Sequence, residues 1–122
     1  MRHPLLALTF IVASSAAALS SDIDGTWLRD DGNARVKIAP CGNKICATNL
    51  WIGDTSQGEA AGDQLVMTLE RQSDGSFNGS AFDAKRDRTY AMTITTSPGA
   101  LKTRGCIVGG LLCRNVNWKA AQ

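Results

Sequence analysis

From residue 21 onward the chain alternates apolar and polar positions with a period of two, and turn-forming clusters interrupt the alternation at short intervals. ARVKIA places Val36 and Ile38 on one face and Arg35 and Lys37 on the other. QLVMTLE gives Leu65, Met67 and Leu69 a common face, and TYAMTIT does the same with Tyr90, Met92 and Ile94. The spacing predicts strands over 25–29, 34–39, 45–51, 64–70, 76–83, 89–95, 101–106 and 114–119. Asp30-Asp31-Gly32-Asn33, Ser73-Asp74-Gly75 and Ser97-Pro98-Gly99 supply turns, and GDTSQGEAAGD (53–63), polar and small, is the one long loop. Short connections make sequential strands antiparallel neighbours. An eight-strand meander removes its exposed edges by closing on itself. The expected fold is all-β: a small eight-stranded antiparallel up-and-down barrel. A sandwich of two four-stranded sheets is the alternative.

Strands of about six residues, rising about 3.3 Å each and tilted near 40°, give a barrel only about 15 Å tall. Trp27, Trp51, Met67, Phe82, Tyr90 and Trp118 are enough to fill most of that interior, and ordinary core packing is the favoured reading of them. The functional reading is a small apolar ligand at one mouth, contacted by Trp51, Tyr90 and Trp118. A long acyl chain would not fit.

The first twenty residues stand apart. MRHPLLALTFIVASSAAALS has a positive start at Arg2, an apolar stretch from Leu5 to Val12, and small residues placed for cleavage at Ala16/Ala18 or Ala18/Ser20. The stretch is too short to span a bilayer, which takes about 20 apolar residues. It is expected to be an export signal over 1–20, with a single barrel domain over 21–122 in the periplasm or secreted. Removing it takes Arg2, leaving twelve basic against eleven acidic residues. No basic stripe marks nucleic acid as a partner, no second apolar segment is long enough for a membrane, and a monomer is expected. The only histidine, His3, departs with the leader. A mature domain without imidazole lacks the commonest general base and transition-metal ligand. Catalysis is therefore not expected, and neither a metal nor another cofactor is.

Four cysteines in an exported chain read as two disulfides. In CIVGGLLC a turn centred on Gly109-Gly110 sets Val108 opposite Leu111 and Cys106 opposite Cys113, within the Cα separation a disulfide accepts. PCGNKIC repeats the arrangement with a four-residue turn, Gly42 to Ile45, between Cys41 and Cys46. The expected bonds are Cys41–Cys46 and Cys106–Cys113. A four-thiolate zinc site would show C-x2-C knuckles and a redox pair C-x-x-C, and neither spacing occurs.

The remaining candidate chemistry is sparse. If the tip IVGGLL stands free, Val108 and Leu111 offer an apolar partner surface; the favoured alternative is a plug folded back over one barrel end. Asp22, Asp24, Asp30 and Asp31 form an acidic cluster, but Asp22-x-Asp24-Gly25 lacks the ligands of a calcium loop. Asp83 and Asp87 flank Lys85 and Arg86 in a turn that reads as charge pairing on a solvated surface.

Two resemblances add to this. Gly25-Thr26-Trp27 resembles the G-x-W that opens the first strand of lipocalins and other calycins. In those barrels the tryptophan closes one end beneath a basic residue of the last strand, a role the resemblance offers to Arg104 or Arg114. Across nearly the whole mature chain, GTWLRDDGNARVKIAPCGNKIC, GSAFDAKRDRTYAMTI and RGCIVGGLLCRNVNW are similar to exported bacterial proteins of domain-of-unknown-function family 2147. That resemblance implies a calycin-like barrel in the envelope and no established activity. Many members carry a longer insertion after the third strand with proline and arginines, which residues 52–63 lack. The expected function is a non-catalytic binding protein for a small apolar ligand in the cell envelope. A protein–protein module, an inhibitor or accessory factor of an envelope protein, is the alternative.

Overall fold

The alternation along the chain becomes eight strands: β1 (Gly25–Arg29), β2 (Ala34–Cys41), β3 (Lys44–Ile52), β4 (Gln64–Arg71), β5 (Phe77–Asp83), β6 (Arg88–Ser97), β7 (Ala100–Ile107) and β8 (Leu112–Ala120). The computed structural model describes residues 22–107 and 109–121. The predicted export signal and Val108 lie outside the described residues. Each strand pairs antiparallel with its sequence neighbours, and β1 pairs with β8, so the barrel is closed and the sandwich alternative falls. Closure is short: β1 meets β8 only from Trp27↔Ala120 to Arg29↔Trp118, whereas β7 pairs with β8 along its whole length from Leu112 to Lys119.

Both expected disulfides are present, Cys41–Cys46 and Cys106–Cys113. Cys106 lies directly opposite Cys113 as the spacing implies. The first bridge differs in detail. Its turn has two residues, with Cys41 opposite Lys44 and Ala39 opposite Cys46, so the bond runs diagonally. Gly42, at φ +68°, takes the first position of that turn, where a two-residue hairpin favours positive φ.

The two barrel ends differ. At one, residues 22–24 fold beneath the strands: Ile23 is fully buried, and its carbonyl accepts a 2.9 Å hydrogen bond from Trp27 Nε1. Ile23 joins Phe77, Ile94 and Leu101 in a buried floor, with the Arg71 guanidinium 4.9 Å from the Phe77 ring centre. The other end collects residues 30–33, the 53–63 loop, residues 84–87 and the β7–β8 hairpin, and it is open.

Three expectations are corrected. Trp51 does not point into the barrel. The β2–β3 register shifts at Arg35/Val36, pairing Val36 with Asn49 and Arg35 with Trp51, so Leu50 is the extra residue of a bulge. An extra residue flips the faces of all that follow: Ile52 is buried, while Leu50 and Trp51 are half-exposed. Phe82 is likewise outside. Phe77 and Phe82 are five residues apart on one strand, an odd spacing, so only one can face inward, and the buried one is Phe77. Lastly, neither arginine caps Trp27. Arg104 faces outward and donates to Asn115 Oδ1. Arg114 lies six residues along β8 from Ala120, the residue opposite Trp27, roughly 20 Å away at strand rise.

Candidate functional site

Small inward-facing residues keep the barrel from filling. Ala47, Thr103 and Gly105 face the axis alongside Val36, Leu65, Met67 and Met92, and between them lies a cavity of about 670 Å³. The expectation of an interior filled by aromatic side chains is thereby corrected. Trp27, Met67, Tyr90 and Trp118 line the space without closing it, and Trp51 and Phe82 are outside. The Trp118 indole donates a 3.0 Å hydrogen bond to Thr103 Oγ1, which fixes the ring to the wall and satisfies its one polar atom.

Charge gathers at the open end. Arg29 ends β1 facing inward and is buried, and its guanidinium is held on two sides. Nη1 and Nη2 donate to the Glu59 carboxylate at 2.6 and 3.0 Å, and Nε donates to Asp31 at 3.0 and 3.1 Å. These bonds hold Glu59 and Asp31 below the usual carboxylate range and raise Arg29 further. Across the mouth, buried Asp83 accepts from Arg86 Nη1 at 2.8 Å, which raises the Arg86 value. Asp83 was expected on a solvated surface. It pairs with Arg86 as that reading implied, but β5 ends with its side chain inward, where it borders the cavity.

Residues 53–63 form a strap across this end. At its start Asp54 N donates to Asn33 Oδ1 at 2.6 Å and Asn33 Nδ2 donates to the Asp54 carbonyl at 3.1 Å. In the middle Glu59 reaches Arg29, and the Gly58 carbonyl accepts from Lys85 and Arg86. At its end Asp63 pairs with Lys85 at 3.0 Å. The strap thus joins the 30–33 turn to the 84–87 turn. Its key residues, Glu59 and Asp63, carry no motif. Only their ion pairs with residues 30 and 22 positions away single them out.

Of the residues singled out in sequence, Tyr90, Trp118, Trp27 and Arg114 come together around the cavity, while Arg104 and Trp51 do not. The plug over one barrel end is overturned: Leu111 and Leu112 are 79% and 60% exposed, and the hairpin stands above the rim. β8 runs on from Val116 to Leu112 past its last partner on β1, so on that side the tip has no strand beside it. Asp22 and Asp30, of the acidic cluster, lie at opposite ends of β1, and Asp22 pairs with Arg71.

A closed eight-stranded antiparallel barrel, with a cavity that is apolar toward its floor and a strapped, charged mouth, defines the structural class. The chain belongs to the family described as "Uncharacterized protein conserved in bacteria (DUF2147)", whose model matches residues 25–120, from the first residue of β1 to the last of β8. No curated protein and no solved structure matches the chain.

Proposed function

We propose that the protein is a non-catalytic binding protein of the bacterial cell envelope that takes a small apolar molecule into its barrel. The observation that carries this is the cavity. Its 670 Å³ falls within the range of small-molecule sites, and its lining, apolar below with polar groups at one end, is of the kind such sites share. At about 30 Å³ per water-sized group, the space suits a molecule of on the order of 20 non-hydrogen atoms. The leader-like first twenty residues and the two disulfides support an oxidising, extracytoplasmic setting.

The test is binding of a neutral fluorescent probe, N-phenyl-1-naphthylamine, to the processed protein. Saturable enhancement is expected, and Gly105→Leu should abolish it while the protein stays folded. A Cβ at Gly105 meets Met92 Cε at 3.6 Å and Tyr90 Cβ at 4.0 Å, both ordinary contacts, so a larger side chain there grows into the cavity. Absence of saturable binding, or equal binding by the variant, would count against the reading. A second reading, a protein–protein module, is favoured by the exposed Leu111 and Leu112. A stoichiometric polypeptide co-purifying from the native envelope, lost with Leu111→Ser, would support it.

A further inference from the structure

Of the charged side chains lining the cavity, every carboxylate is committed to an ion pair, and so are Arg29 and Arg86. Arg114 is different. It lies on the inward phase of β8 but at the exposed rim, and among the described residues it makes neither a hydrogen bond nor an ion pair; its influence on Asp31 and Glu59 is felt only at longer range. Both carboxylates are held on Arg29 at the end of β1, one neighbour of β8, and its other neighbour is β7. On the β7 side a hollow of about 230 Å³ opens, bordered by Arg114, Tyr90, Ile107 and Leu112. Gly105, directly opposite Arg114, creates it by having no side chain. The Tyr90 hydroxyl, on the same hollow, also makes no hydrogen bond among the described residues. Two uncommitted donors therefore border one space, at the rim of a cavity that is apolar toward its floor and charged at its mouth.

We infer that this hollow is a carboxylate subsite: Arg114, with Tyr90, holds the single anionic group of a small amphiphile whose apolar body occupies the barrel. The inference rests on the binding reading proposed above. A guanidinium offers a planar fork that a carboxylate meets with two parallel bonds. The four carboxylates that line the cavity are each held by Arg29, Lys85 or Arg86, which leaves Arg114 as the lining cation with no ion-pair partner among the described residues. A doubly charged phosphate monoester would face added repulsion from Asp31 and Glu59. A cationic head finds each carboxylate that lines the cavity already in an ion pair, and it meets Arg114.

The test is displacement of N-phenyl-1-naphthylamine by three ligands of one chain length: decanoate, 1-decanol and decylammonium. Decanoate should displace the probe about ten-fold more tightly than decanol, the scale of one charge-assisted pair at a solvated rim, with decylammonium weakest. The carboxylate-to-alcohol ratio should fall to about one in Arg114→Gln, keep part of its value in Arg114→Lys, and shrink in high salt. Decanoate and decanol displacing equally would overturn the subsite while leaving the binding reading intact. A preference that survives Arg114→Gln would overturn the assignment to Arg114. A protein that binds neither the probe nor any of the three would bring down both.

Discussion

Arg29 concentrates the physical problem of the mouth in one side chain. A guanidinium with 9% of its side chain exposed must be matched by charge and hydrogen bonds, or its desolvation is uncompensated. Glu59 and Asp31 supply the match, and in doing so Glu59 ties the strap down. Removing one partner of a charged hydrogen-bonded pair costs about 1–3 kcal/mol, so Glu59→Gln should lower stability by that amount near neutral pH. In a domain of about 100 residues, 1 kcal/mol corresponds to roughly 4–8 °C in Tm. The pH dependence follows from the direction of the shifts. Glu59 and Asp31 are both held below their ordinary values. Their contribution is therefore complete above the usual carboxylate range near pH 4 and drains away as pH falls through the lowered folded values. Thermal unfolding of the native protein and Glu59→Gln from pH 7 to pH 3 should give curves that converge in acid. Curves that stay parallel would mean the ion pair is not what stabilises the strap.

Among the elements, the β7–β8 hairpin departs most from the rest of the barrel. It is locally fixed by Cys106–Cys113, and Gly109 and Gly110 at φ +63° and +89° allow its tip to turn tightly. Its apolar tip residues contribute little to the core. Replacing Leu111 and Leu112 together with serine should leave stability within about 0.5 kcal/mol, as surface substitutions do. Calorimetry showing a loss of several kcal/mol would place the tip against the barrel after all. The elements themselves were legible because period-two alternation and turn residues are local signals, and the predicted strands match the observed ones to within two residues at each end. Their phase was less legible. One extra residue at Leu50 reverses the faces of Trp51 and Ile52, and no local signal in KICATNLWI marks where the ladder slips.

For the molecule as a whole, closure and disulfide pairing were readable, but the cavity was not. Its volume depends on which residues share the axis at one level. Ala47, Thr103 and Gly105 come from strands far apart in sequence, and their coincidence appears only once the register is fixed. The strap escaped notice for the same reason: Arg29 and Glu59 meet across thirty positions. Ile23 precedes the first strand and belongs to no alternating run, yet it is the most deeply placed part of the floor. The molecule is therefore polarised, with apolar packing at one end and ion pairs at the other.

The brevity of the β1–β8 ladder has a mechanical consequence. Five residues of β8, Leu112 to Val116, are laced to a neighbour along one margin only, so every second amide there faces outward from the ladder without a strand to receive it. Deuterium should enter those amides far sooner than the paired ones of β5 and β6. A cylinder whose β1–β8 ladder is its shortest, with β1–β2 and β3–β4 only a little longer, has a built-in seam there, and warming or pulling should part the wall along that line first.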